Sequence, residues 1–420
     1  MSNPSRSFVD VRMRGFGART DVSEAIELIH ARCRAGLAEL VDLDAAAGRV
    51  LASDVTAAVA VPHFDRAAFD GYAVRASDTA GASPESPRTL RVIGEALPGR
   101  PSGQTVELGA ALRIMTGSPM PLGADAVLPA EVAEESEGSL KVVEPVGAGK
   151  NVGKTGEDVP AGRTVLHAGR ALRPQDLGLL SSIGVGRVEV VRRPRVAILV
   201  TGDELLPPGS KPDGFQIVDS NSVVLRALVR RDGGDLLPTR HLPDRVEAIR
   251  GAMKSDDWEV LLVSGGTSVG REDHAPRLLA ELGELPIHGL ALRPAMPTGI
   301  GFIDGRPVFL LPGNPVGCLV AYDLFAGRSI RLLGGRSDEL PYRTEEHPAA
   351  VRLASTVGRM DYLRVRITPA GVEPIETTGA SILSTTVIAD GFVLVPRASA
   401  GYGPGENVRV YLYDAAVRES

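Results

Sequence analysis

From Arg195 to about Leu333 the chain alternates short apolar runs with amphipathic stretches, and that alternation restricts the segment to a parallel sheet wound with right-handed crossovers. The spacing predicts strands over Arg195–Val200, Asp235–Thr239, Trp258–Val263 and Val308–Leu311. Helices are predicted over Ser222–Arg231, Asp244–Met253, His274–Leu282, and from Pro315 to about Leu333, with an extended stretch near Ile287 to Arg293.

Sheets of this kind bind ligands at the carboxyl ends of their strands, where loops lead into helix N-termini. Three such loops have unusual content: Thr201-Gly202-Asp203-Glu204-Leu205, then Ser264-Gly265-Gly266-Thr267-Ser268-Val269-Gly270 followed by Glu272 and Asp273, then Leu311-Pro312-Gly313-Asn314-Pro315. Glycine admits close approach of backbone to a phosphate, and Ser or Thr adds hydroxyl donors. The carboxylates Asp203, Glu204 and Asp273 are available to Mg²⁺, a hard cation that prefers oxygen. Any one loop can be only a turn. Asp219 to Asn221 reads most simply as a capping segment, Pro315 as a first-turn proline, and His274 as a helix-start residue. Three loops on one edge of one sheet make a ligand site the better reading.

At 420 residues the chain needs more than one domain. A helix is expected over Asp21–Ala38, a strand around Val50 to Val61, and β-structure from Arg88 to Val146. Ser83–Pro87 reads as a surface loop and Glu131–Gly138 as a hairpin tip. After Gly334 alternating segments return, among them Tyr362–Ile367, Gly391–Val395 and Asn407–Leu412, which predicts a small β-domain. The apolar runs are too short to span a bilayer, and Met1 to Thr20 lacks the apolar core of a signal peptide. Cys33 and Cys318 alone build no disulfide framework, so a cytoplasmic protein is expected. The net charge of −6, with both signs mixed along the chain, argues against a nucleic-acid surface.

Two further clusters lie outside the α/β segment, Asp65 to Ala73 and Arg113 to Pro121 leading into Gly123 to Val127. Neither has the spacing of a metal site or a nucleophile, and no Walker-type loop, zinc-spaced Cys/His set or G-x-S-x-G elbow is present.

Taken in order, Phe69 to Ala73, Arg113 to Val127, Gly156-Glu157-Asp158, Thr201 to Leu205, Ser264 to Asp273 and Leu311 to Val316 resemble the molybdopterin molybdenumtransferase family, which includes MoeA and the E-domain of gephyrin. The resemblance runs from about residue 20 to the C-terminus. It implies a multidomain α/β plus β fold: an elongated domain of residues 20–57 plus 156–188, an inserted β-rich domain of 58–155, a molybdopterin-binding α/β domain of 189–333 with a parallel sheet, and a C-terminal β-barrel of 334–420. It implies a homodimer whose cleft lies between the α/β domain and the partner's inserted domain. The implied reaction inserts molybdate into adenylylated molybdopterin and releases AMP, with Mg²⁺.

By motif match, catalytic roles fall on Asp65, Thr116, Asp158, Glu204, Asp244 and Asp273, with Glu204 and Asp273 as Mg²⁺ ligands. Asp244 also reads as a helix N-cap. Substrate contacts fall on Thr201, Gly202, Asp203, Ser264, Gly265, Gly266, Ser268, Arg293, Pro312, Gly313 and Asn314. The sequence departs from the family where Arg293-Pro294-Ala295-Met296-Pro297 replaces Lys-Pro-Gly-Lys-Pro, and where Gly317 replaces a serine. Those lysine and serine positions belong, in the family, to the pocket for molybdate. Arg66, Ala67 and Phe69 replace the usual Asn, Ser and Met. Two alternatives follow: a dimeric scaffold that binds a protein partner beside its interface, as gephyrin does, or action on a nucleotide-linked pterin without molybdate.

Overall fold

The computed structural model describes residue 16 and residues 19–375 and 379–413. The chain divides into two compact units, one of residues 1–39 with 191–420 and one of residues 40–190.

In the first unit the strand Arg195–Thr201 lies between Asp235–Leu236 and Val260–Ser264, and Val260–Ser264 lies against Arg306–Leu311. All three pairings are parallel, with Leu199 beside Val263 and Leu262 beside Phe309. Val196, Ile198 and Val200 face one core and Ala197 and Leu199 face another. Burial on both sides explains why this strand reads as an unbroken apolar run.

The sheet is not wholly parallel, as the alternation predicted. Gly299–Ile303 joins Arg306–Leu311 in an antiparallel hairpin, and Glu284–His288 extends that edge antiparallel again. The hairpin turns on Asp304-Gly305, both with positive φ, 50° and 77°. Left-handed backbone at two adjacent residues is what a tight two-residue turn needs, and Asp-Gly supplies it. The expected strand at Asp235–Thr239 shrinks to Asp235–Leu236, and a separate strand, Arg240–Leu242, follows it. The helix expected over Pro315–Leu333 forms with a π-turn at Tyr322–Ala326 inside it.

The N-terminal helix is Val22–Arg32, shorter than the expected Asp21–Ala38. Its Val22, Ala25 and Ile29 are buried in the core that holds Val196 and Phe309, whereas Leu37 lies beyond its end and is 75% exposed. Residues 344–412 form the β-barrel expected at the C-terminus. Strands Thr344–Pro348, Asn407–Leu412, Gly391–Val395, Met360–Thr368 and Gly371–Pro374 pair in that spatial order. A bridge between Ala349 and Val372 closes the circuit. Leu292–Arg293 adds to the barrel in parallel beside Met360–Asp361.

The second unit has two parts. A six-stranded sheet takes the order Ala126–Pro129, Gly71–Val74, Ala110–Ile114, Arg88–Ala96, Ser139–Val142, Ala133–Ser136, with apolar clusters around Leu128 and Leu112. The acidic stretch Glu131–Gly138 turns at Glu137-Gly138, and Ala133–Ser136 before the turn is itself a strand. A separate core gathers Leu51, Ala57, Val159, Leu172, Leu180 and Val190 from two distant stretches of chain. Around Val50 to Val61 the expected strand reduces to isolated bridges and Val55–Thr56.

Candidate functional site

Because Arg195–Thr201, Val260–Ser264 and Arg306–Leu311 are adjacent and parallel, their following loops emerge at one sheet edge and enclose a cavity of about 770 Å³. Of the residues singled out in sequence, Thr201, Gly202, Glu204 and Asp244 line it from one side. Ser264, Gly265, Gly266, Ser268 and Asp273 line it from the second loop, and Gly313 and Asn314 from the third. Asp203, Pro312 and Arg293 are not in the wall. Pro312 is buried beneath it, and Asp203 is exposed beside it.

The glycines of the second loop permit a close approach of backbones. Gly265 has φ +89°, and a Cβ there would stand 2.3 Å from the Thr201 carbonyl oxygen. Gly266 has φ +59°, and its Cβ would stand 2.8 Å from Thr201 Oγ1. Any side chain would push the first and second loops apart.

Asn221, in sequence only part of a capping segment, has a larger part in the structure. Its Nδ2 donates to Ser264 Oγ at 2.9 Å and to the Gly313 carbonyl at 2.8 Å, so one amide ties the second loop to the third. Thr267 Oγ1 donates to the Leu311 carbonyl at 2.9 Å and adds a second tie. Ser220 is the N-cap of the helix that follows; Asp219 before it accepts the Ser222 N–H at 3.0 Å, and its other oxygen meets His241 Nε2 at 2.8 Å. An Asn two residues after an Asp at a helix start carries no periodic signal, so only the fold exposes this role.

Asp244 is not the N-cap of its helix; Arg245 is, and the helix is Val246–Met253. Asp244 instead faces Asp203, each accepting the other's backbone N–H at 3.3 Å. Burial, with the charges of Asp203 and Glu204, pushes its carboxyl above the usual aspartate range. Asp244 Oδ1 and Thr201 Oγ1 are buried and complete no hydrogen bond. Asp273 turns back on its own loop, accepting the Gly270 N–H at 2.5 Å. Among the described residues no three His, Cys, Asp or Glu side chains enclose a metal. The donors are nonetheless all hard oxygens, and an unpartnered carboxylate oxygen beside like charges suits a cation. Mg²⁺ commonly takes one or two carboxylates and completes its shell with water and phosphate, so this set fits it.

In the second unit, hydrogen bonds gather three distant segments. Ala67 N–H donates to Ser118 O, Gly117 N–H to Ala67 O, Met120 N–H to Asp65 O, and Ala68 N–H to Asn151 O. Asp65 is thereby placed beside the segment that ends in Asp158. Lys154 Nζ lies 2.8 Å from Asp65 Oδ2, and the Thr155 N–H and hydroxyl both donate to Oδ1 at 2.9 Å. The Lys154 ammonium, then the two Thr155 donors, hold the Asp65 carboxyl down at about 2. Thr116 donates from N and Oγ1 to Asp70 Oδ1 at 2.7 and 2.8 Å. Asp70, a motif residue to which the sequence gives no role, therefore pairs with Thr116, and Lys154, outside every motif, pairs with Asp65. Asp158 is exposed and donates its backbone N–H to Val61 O.

Arg293 lies against the barrel, with Nη2 3.2 Å from the fully buried Asp361. Met296 is half-buried and its carbonyl accepts the Leu290 N–H. Gly317 is buried, and a Cβ there would meet Pro312 Cβ at 3.2 Å. The serine expected at this position would crowd the third loop unless Pro312 shifted.

Comparison with known proteins finds three family regions in order along the chain. Residues 20–184 match the model of the MoeA N-terminal region, domains I and II. Residues 197–331 match a probable molybdopterin binding domain, and 346–413 the MoeA C-terminal region, domain IV. A putative molybdopterin biosynthesis protein of Methanocaldococcus jannaschii is 35% identical over 383 residues, 89% of this chain and 91% of that protein. Molybdopterin molybdenumtransferase 2 of Mycobacterium tuberculosis is 38% identical over 75% of this chain and 79% of its own length. The crystal structure of the molybdopterin biosynthesis MoeA protein from Pyrococcus horikoshii superposes with TM-score 0.82 at 32% identity, over 95% of this chain and all of that one. With the three family regions in order and near-full-length relatives in both sequence and structure, this chain belongs to the MoeA family.

Proposed function

We propose that this protein is a molybdopterin molybdenumtransferase, which inserts molybdate into adenylylated molybdopterin and releases AMP. The observation that carries this reading is the convergence of three loops on one cavity that presents both phosphate-type cradles and carboxylates. Gly265, Gly266 and Gly313 let the backbone approach the substrate's phosphates, and Thr201, Ser264 and Ser268 add hydroxyl donors. Glu204 and Asp273, with Asp244 beside them, would hold Mg²⁺, which would offset negative charge at the phosphoryl group being cleaved. The chain's own contribution is to hold the phosphates between the three loops and to place the carboxylates beside them. Asp65 and Thr116 from the inserted domain, and Asp158 from the adjoining start of 156–188, would act from the second subunit of a homodimer.

The domain limits we propose are 20–57 with 156–188, 58–155, 189–333 and 334–420. The matched family regions support this division, as does the separate core around Leu51 and Val159. Helix Val22–Arg32 lends its apolar face to the α/β core. No helix among the described residues is long and apolar enough to cross a membrane, in keeping with a cytoplasmic enzyme. The scaffold reading is not favoured, because the transferase name attaches to relatives that this chain matches over most of their length.

The test is AMP release from adenylylated molybdopterin, anaerobically, with Mg²⁺ and a molybdate titration. Molybdate-dependent release that is lost in Asp273→Asn supports the transferase. Nucleotide binding without release at any molybdate concentration overturns it.

A further inference from the structure

Five carboxylates line the loop cavity: Glu204, Asp219, Asp244, Glu272 and Asp273. Asp219 is met by His241 at 2.8 Å, but none of the other four forms an ion pair among the described residues. Adenylylation of a phosphate leaves a pyrophosphate bridge with a negative charge on each phosphate. Like charges at contact distance repel, so such a wall opposes entry of the nucleotide. Among the described residues one basic side chain, Arg271, stands in that wall. The motif match gives it no role.

A closed turn sets its position. The Gly270 N–H donates to Asp273 Oδ2 at 2.5 Å, and the Asp273 N–H returns to the Gly270 carbonyl at 3.3 Å, so Arg271 and Glu272 form the tip. A Cβ at Gly270 would stand 3.0 Å from Asp273 Oδ2, which favours glycine where the turn closes. Helix Ala275–Leu282 follows, and the Ala275 N–H donates to the Gly266 carbonyl at 3.3 Å, which holds the turn against the glycine loop.

Nearby arginines are already engaged. Arg277, on the helix after the turn, pairs with Glu281 at 2.6 Å, and Arg250 shares that partner at 2.6 Å. Arg271 differs from both. It is exposed, and no hydrogen bond or ion pair engages it among the described residues. An unpaired guanidinium keeps its whole fork of N–H donors and can grip two phosphate oxygens at once.

We propose that Arg271 is a specificity-determining residue that admits the nucleotide to the carboxylate cavity before Mg²⁺ arrives, by binding its phosphate oxygens. This rests on the transferase reading. Bound phosphates then supply the oxygens that, with Glu204 and Asp273, would complete a shell for Mg²⁺. The order is nucleotide first and metal second. Because Arg271 is exposed, its reach depends on ionic strength.

The experiment is calorimetric titration of adenylylated molybdopterin, anaerobically, into wild type, Arg271→Ala and Arg271→Lys. It is run in EDTA at low salt, and again with saturating Mg²⁺. Wild type should bind without metal. Arg271→Ala should weaken that binding about tenfold, the size of one charge-assisted contact. Arg271→Lys should recover part of it, since an ammonium keeps the charge and loses the two-pronged grip. Mg²⁺ should narrow the gap by offsetting the same phosphate charge. Equal metal-free affinity in wild type and Arg271→Ala overturns the proposal, as does a wild type that binds only once Mg²⁺ is present. Should wild type bind without metal, and Arg271→Ala bind more weakly, while AMP is never released with Mg²⁺ and molybdate, the transferase reading falls and the role of Arg271 stands.

Discussion

Asn221 Nδ2 stands 2.9 Å from Ser264 Oγ, and the same nitrogen reaches the Gly313 carbonyl, so a single side-chain amide spans two of the three loops around the cavity. Asn221→Ala leaves the buried Ser264 hydroxyl without this donor. We expect a loss of about 1–3 kcal/mol in stability and a several-fold rise in the KM for the nucleotide substrate. Denaturant unfolding and AMP-release kinetics check both. Asn221→Asp keeps the shape but loses the donor, and should resemble the alanine variant in KM. Wild-type kinetics in both variants would show that the tie is dispensable.

Gly265→Ala tests the approach of the first and second loops. The added Cβ would stand 2.3 Å from the Thr201 carbonyl, on a backbone at φ +89°. Both the clash and the conformation disfavour it, so the loops must separate. We expect AMP release to fall by up to about a hundredfold, the cost of misplacing positioning groups by about 1 Å. Retained activity with a lowered melting temperature would show that the strain is absorbed away from the cavity.

The acid limb of stability should carry a contribution from Asp65. Its folded carboxyl lies at about 2, against about 3.9 for an unperturbed aspartate. A depressed carboxylate adds stability that is fully present above the unfolded value and is lost as pH falls through the folded one. The window is therefore about pH 4 to 2. Asp65→Asn should flatten the dependence of stability on pH in that window and leave its shape above pH 5 unchanged. The effect will be small, because the group is 39% exposed and its ion pair with Lys154 is screened. A wild-type slope in Asp65→Asn would refute the assignment.

Removal of divalent cations with a chelator should abolish AMP release, and excess Mg²⁺ should restore it. Asp244→Asn removes one charge from the group formed with Asp203 and Glu204. Half-saturating Mg²⁺ should rise about tenfold in this variant, as expected for the loss of one charged oxygen ligand. Release that is indifferent to chelation would remove Mg²⁺ from the mechanism.

The α/β segment was legible in the sequence because burial on both faces of a parallel strand writes an unbroken apolar run, as in Val196–Val200, and each helix between strands writes its own period. Glycines at strand ends marked the loops, since close backbone approach has few other solutions. Asp304-Gly305 carries the residues of a tight hairpin, but strand–helix alternation predicts parallel strands only, so the antiparallel edge has no counterpart in that periodicity. Other features have no local signature. The ties from Asn221 to Ser264 and Gly313 join residues 43 and 92 positions apart, and Lys154 meets Asp65 across 89. Arg293, Arg352 and Arg364 surround one cavity only because the barrel closes around them. Periodicity and turn chemistry are local, so the chain order alone determined most elements of the α/β segment and its glycine-rich loops. Long-range hydrogen bonds and charge grouping depend on how strands stack and close, and those only the tertiary structure decided.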